Sequence, residues 1–118
     1  MGNIVAHNKG TQPSLMLAAH MDEIGLMIKK IDKAGRIFCA SIGGFDPTVL
    51  IGHRVHVGVK GKHIHGVITT DKLSSDAELI EKPTLDDIYV DTGLDQEALS
   101  KKGLTIGSYI SLELKSGN

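Results

Sequence analysis

"VLIGHRVHVGVKGKHIHGVIT", residues 49–69, alternates apolar and polar positions on both sides of a break at Lys60-Gly61-Lys62. Val55, Val57 and Val59 fall on one side of an extended chain, and Arg54, His56 and Gly58 fall on the other. A period of two marks a half-buried strand, because an amphipathic helix would repeat its apolar positions every three or four residues. A glycine-bearing break between two such runs predicts a tight hairpin.

The same texture extends in both directions. "NIVAH" (3–7), "LMLAAH" (15–20), "EIGLMIKKI" (23–31), "IFCASI" (37–42), "IYVDTGL" (88–94) and "IGSYISLEL" (106–114) are short β-rich runs separated by turn formers. In the last of these Ile110, Leu112 and Leu114 alternate with Tyr109, Ser111 and Glu113. "DQEALSKKG" (95–103) has an acidic start, helix formers and a closing glycine, so it predicts one helix of about two turns. Gly43-Gly44 before "FDP" predicts a sharp turn with positive φ, and Gly52, Gly66, Gly103 and Gly107 are expected at turns or barrel bends. Residues 69–87 are polar and read as a loop or short helix. Seven or eight short strands with one small helix predict a mostly-β fold, a small closed or partly open barrel or a sandwich.

Composition narrows the function classes. At 118 residues the chain is one domain's worth, and 13 Lys+Arg against 14 Asp+Glu leave no field that would draw a polyanion or an anionic membrane. The basic residues are dispersed among two Tyr, two Phe and no Trp, which argues against nucleic-acid binding. Cys39, the single cysteine, cannot pair within the chain and is expected as a small buried core residue, the other reading being a functional thiol. No secretory signal, membrane-spanning run or lipidation motif is apparent, so a cytoplasmic address is the expectation.

Chemistry concentrates in "SLMLAAHMDEIGLMI", residues 14–28, where one histidine and two acids interrupt an apolar run. In an extended chain His20 and Asp22 share a face. A metal-binding imidazole commonly donates its other ring N–H to a carboxylate, so His20-x-Asp22 fits a ligand with its supporting acid. On the tripeptide alone, an ordinary hydrogen-bonded His-Asp pair closing a strand end is the plainer reading. Glu23 faces the other way and has either a metal role or a salt-bridged rim position. His53, His56, His63 and His65 cluster in "GHRVHVGVKGKHIHG" (52–66); across the hairpin His56 comes near His65, and His63 shares a face with it. Such imidazoles can bind Zn²⁺ or Ni²⁺ weakly, or simply line the exposed face of two strands. Asp86, Asp87 and Asp91 suggest a cation site or, more plainly, loop acids flanking a strand.

The string "AAHMDEIGLMI", preceded by "GNIVA" and followed by "IGGFDPTVLIGHRVHV", "HGVIT", "DDIYVDTG" and "GLTIGSYISLE", closely resembles the M42 family of metallo-aminopeptidases. These include glutamyl and deblocking aminopeptidases that assemble into tetrahedral dodecamers, and some members carry the label endoglucanase. The resemblance covers nearly all of the chain. One departure is the loop "TTDKLSSDAELIEKP" (69–83), which lacks the Pro-His pair often found after the Gly-Val-Ile strand. By the resemblance, His20 matches the first metal-ligand histidine, and Asp22 matches the acid that orients it. The family holds two divalent ions, usually zinc or cobalt, bridged by the water that attacks the peptide carbonyl, with a glutamate as general base.

The family's bridging aspartate, glutamates, further acidic ligand and last histidine would all follow the segment matching "GSYISLELKSGN" (107–118). The resemblance therefore implies a fragment. Residues 1–22 would be an N-terminal strand pair (2–6 and 15–19) from a truncated α/β catalytic domain, 23–115 an inserted β-barrel lid and oligomerisation domain, and 116–118 a tail. It implies peptide substrates, a homo-oligomer built from dimers, and no nucleic-acid or membrane partner. A stand-alone β-barrel assembly or binding module is the rival reading. A glycoside hydrolase is weaker, since Phe38, Phe45, Tyr89 and Tyr109 are too few to line a sugar cleft and no pair of catalytic carboxylates is visible.

Overall fold

A computed structural model describes residues 2–59, 61–74 and 81–113. Six strands close into an antiparallel barrel: β1 (Gly25–Ile31), β2 (Ile37–Ile42), β3 (Arg54–Val59), β4 (Lys62–Thr70), β5 (Ile88–Asp91) and β6 (Tyr109–Leu112). Their order around the wall is β1-β2-β5-β4-β3-β6, with β6 pairing back onto β1. Closure follows from the short final strand, whose Ile110 stands opposite both Leu26 of β1 and Val57 of β3. One helix, α1 (Gln96–Lys101), crosses between β5 and β6.

The period-two pattern decides what lies inside. Leu26 and Ile28, Ile37 and Cys39, Val55 and Val57, Ile68, Ile88 and Val90, and Ile110 all point inward and are buried. Leu99 of α1 and Leu104 after it complete the packing from outside the strands. Asp95 caps α1 by accepting the Ala98 N–H at 2.8 Å, as the acidic start predicted. Cys39 is buried as expected, and loss of water around it pushes the thiol up to about 12.

Two glycines answer to close approaches of backbone. Gly35 has φ +87° in the β1–β2 turn, and a Cβ there would sit 1.8 Å from the Leu94 carbonyl oxygen. Gly66 lies inside β4, not at a turn. A Cβ on it would meet Val90 Cγ1 at 2.5 Å and the Asp91 carbonyl oxygen at 3.0 Å. The β1–β2 turn is further held by Arg36, which donates its backbone N–H and its Nε to the two carboxylate oxygens of Asp32 at 2.9 and 2.7 Å.

Two sequence expectations change. The apolar run at 49–59 does not begin as a strand: Pro47–Leu50 forms a 3₁₀ turn capped by Asp46, which accepts from Thr48 N and Oγ1 at 3.1 and 2.8 Å. An Asp-Pro pair favours that start, because proline fixes φ and needs no hydrogen-bond donor at the first position. Residues 2–24 form no strand, so the pair expected at 2–6 and 15–19 is absent and six strands remain. The physical reason is the closed ring. A strand needs a hydrogen-bonded neighbour, a barrel offers no free edge, and an isolated two-stranded pair is marginal in water. The loop after β4 is described as far as Ser74 and again from Glu81; its centre at 75–80, like Leu114, lies outside the described residues.

Candidate functional site

His20 and Asp22 lie just before β1, both well exposed. They are brought together as the sequence suggested, although not by a strand. His20 Nδ1 is 3.1 Å from the Asp22 carboxylate and 2.9 Å from the Asp22 carbonyl oxygen. Both are acceptors, so Nδ1 is the donor, and in the neutral ring Nε2, which has no partner among the described residues, keeps the free lone pair. This is the arrangement in which a neutral imidazole can offer Nε2 to a metal while a carboxylate fixes its orientation. Glu23 is exposed and makes no ion pair among the described residues.

A metal centre needs more than this. A catalytic zinc ion takes three protein ligands as a rule, and among the described residues the one group of three or more clustered donors is His56, His63 and His65, without His20. The donor set around His20 therefore does not fit a complete two-ion centre.

The remaining candidates sort by geometry. His56 stands directly opposite His65 across the β3–β4 ladder, and the ring of His63 is 4.3 Å from that of His56 between centroids. His53 is not part of the group. Asp86 pairs with Lys29, and Asp91 accepts the Gly93 N–H at 2.8 Å, so both are turn and surface acids. Asp87 accepts from Thr84 Oγ1 and N at 2.6 and 2.7 Å and lies 3.1 Å from Lys72 Nζ; these contacts hold its carboxyl down at about 2. Lys82, with help from Thr48, does the same for Asp46. The aromatic residues do not converge. Phe38 and Tyr89 pack together beside Arg36 on the β2–β5 wall, while Tyr109 covers Gly58 on the far side. Glu113 escaped the sequence reading. Its Oε2 lies 4.0 Å from His56 Nε2, a neighbourhood set by the pairing of β6 on β3, which alternation alone does not reveal.

A family model for the M42 glutamyl aminopeptidases matches residues 2–116, from the segment before His20 to beyond β6. The chain belongs to the M42 peptidase family. Among M42-like proteins, the lysyl aminopeptidase of Pyrococcus furiosus is 36% identical over 112 residues, which are 92% of this chain and 32% of that one. An aminopeptidase from the archaeon Desulfurococcus kamchatkensis superposes with a TM-score of 0.72 at 29% identity, over 85% of this chain and 28% of that one. The TET1 peptidase of Pyrococcus horikoshii, which can assemble into a tetrahedron or a large octahedral shell, superposes at 0.66 with 27% identity, over 80% and 29%. The chain thus spans about a third of the length of the curated M42 relatives it matches. No helix among the described residues is long and apolar enough to cross a membrane.

Proposed function

We propose that the chain is the barrel-bearing part of an M42-type metal-dependent aminopeptidase, an enzyme that removes N-terminal residues from peptides. In this reading the barrel at 23–115 is the lid and oligomerisation domain, and residues 1–22 belong to the edge of the catalytic domain. His20 is a ligand of a two-ion zinc or cobalt centre, and Asp22 orients it. The observation that carries the reading is the His20–Asp22 contact at the entrance to β1, within a segment that the family match covers. When bound, the ions would supply an activated water and charge stabilisation at the scissile carbonyl. His20 would hold one of them through Nε2, and Asp22 would keep the proton on Nδ1.

The exposed apolar residues of the N-terminal segment agree with a missing sheet. Ile4, Val5, Leu15, Met16 and Leu17 are each at least 84% exposed, large apolar side chains that no described residue covers. The protein would be a cytoplasmic homo-oligomer. A second reading, a stand-alone assembly module without chemistry, draws on the closure of the barrel, which satisfies its own ladder without help from residues 2–24.

A domain exchange tests the proposal. Residues 2–116 replace the matching third of the Pyrococcus furiosus lysyl aminopeptidase, and hydrolysis of lysyl-p-nitroanilide is measured with His20 intact or as His20→Ala. The expected result is an active chimaera that loses at least about a hundredfold in activity with His20→Ala, and less with Asp22→Asn, the range a supporting partner commands being roughly 10–100-fold. Full activity in the His20→Ala chimaera would refute the assignment.

A further inference from the structure

We propose that His56, His63 and His65 form a binding site for one divalent transition ion of the Zn²⁺ class on the outer wall of the barrel, a site additional to the two-ion centre of the proposed aminopeptidase. The three rings come from two adjacent strands. His56 and His65 are ladder partners, and His63, two residues before His65, projects from the same outer face. The centroids form a nearly equilateral triangle with sides of 4.3, 4.9 and 5.1 Å. One ring nitrogen from each residue lies within 4.8 Å of the other two.

These dimensions fit a single ion. With Zn–N bonds of 2.0–2.1 Å and tetrahedral angles, three bound imidazoles have their nitrogens about 3.4 Å apart and their centroids about 5 Å apart. The observed centroids already stand at that spacing. Bringing the nitrogens together takes rotation of the rings, not movement of the strands. Hydrogen bonding across the β3–β4 ladder fixes the three Cα positions, so little backbone order remains to be created on binding.

The donor chemistry selects the ion. Three imidazoles with no oxygen donors among them suit Zn²⁺, Ni²⁺ or Cu²⁺, and not Mg²⁺ or Ca²⁺, which require carboxylates and carbonyls. Glu113 adds the carboxylate that metal-bound histidines usually have behind them. Its Oε2 is buried and accepts no aligned hydrogen bond among the described residues, although Arg54 Nε lies 3.0 Å away as a charge partner. At 4.0 Å from His56 Nε2 it is placed to take that ring's N–H once Nδ1 turns to the metal. An ion here would pin the β3–β4 hairpin and stiffen one wall of the barrel.

The test uses the tag-free 118-residue chain, stripped of metal and titrated with Zn²⁺ against a chromophoric zinc indicator. Histidine ring resonances are followed by NMR in parallel. The proposal predicts one equivalent bound, with ring shifts confined to His56, His63 and His65. Affinity falls at least tenfold in His63→Gln, is lost in His63→Gln/His65→Gln, and weakens in Glu113→Gln. His20→Ala leaves it unchanged, which separates this site from the proposed catalytic ligand. His63 and His65 are exposed, so their variants keep the barrel, and the wild-type NMR titration stands without any variant. Failure to saturate below millimolar Zn²⁺, shifts at His7, His20 or His53 instead, or binding that survives the double variant would overturn it.

Discussion

Gly66→Ala probes the packing that sets the register of β4, and with it the pairing of His56 and His65. The new methyl group would point into the barrel, 2.5 Å from Val90 Cγ1 and 3.0 Å from the Asp91 carbonyl oxygen. The first contact can be relieved by moving a side chain; the second is backbone and cannot without disturbing β5. Overpacking of this kind costs about 1–3 kcal/mol. Gly66 does not have positive φ, so alanine also reduces unfolded-chain entropy, which offsets about 0.4–1 kcal/mol. The net expectation is a loss of about 1–2 kcal/mol. With a urea dependence of about 1.5 kcal/mol per molar, the unfolding midpoint falls by about 1 M. Gly66→Ala combined with Val90→Ala should be more stable than the two separate effects predict, by about 1 kcal/mol, because each change relieves the other. An unchanged or raised midpoint in Gly66→Ala would refute the close approach of β4 and β5. Strict additivity in the pair would show that Val90 is not the group in the way.

The other predictions concern acid stability, the thiol and association. Asp46 and Asp87 are held at about 2 in the folded protein, against an ordinary value near 3.9 in the unfolded chain. Their contribution to stability is therefore complete above about pH 4 and is lost as pH falls toward 2. Asp46→Asn/Asp87→Asn should flatten the acid limb of a denaturation-versus-pH profile in that window, and a limb as steep as the parent's contradicts the assignment. Cys39 should resist iodoacetamide at pH 8 in the native protein and alkylate fully in urea, since burial holds it as the thiol; native labelling at the rate of a free cysteine contradicts this. The chain should self-associate at micromolar concentration by light scattering, driven by its exposed apolar residues, and a strict monomer would argue against that. Removing residues 1–19 then assigns the contact: retained mass places it on the barrel wall, lost mass on the N-terminal segment.

Alternation made the barrel legible where the inward residues are apolar and their neighbours are not, as at Val55-His56-Val57. The helix was legible from Asp95 and Gly103 at its ends. Closure was not, since it depends on Ile110 pairing with both Leu26 and Val57 across long stretches of sequence, and local pattern carries no register between distant strands. The run 2–19 misled for a related reason: its composition suits a strand, but a strand exists only with a neighbour. Of the candidate site, the His20–Asp22 contact was legible because two residues' separation is local. The triangle of His56, His63 and His65 was visible only as a cluster, and Glu113 not at all, because its place beside His56 comes from β6 lying against β3.

In the proposed function His20 is one ligand of an M42 metal centre that the described residues do not complete. The deciding assay presents the 118-residue chain alone with a panel of aminoacyl-p-nitroanilides in Zn²⁺ and in Co²⁺. No turnover above the metal-only control is expected. Turnover that survives repurification and disappears with His20→Ala would contradict it.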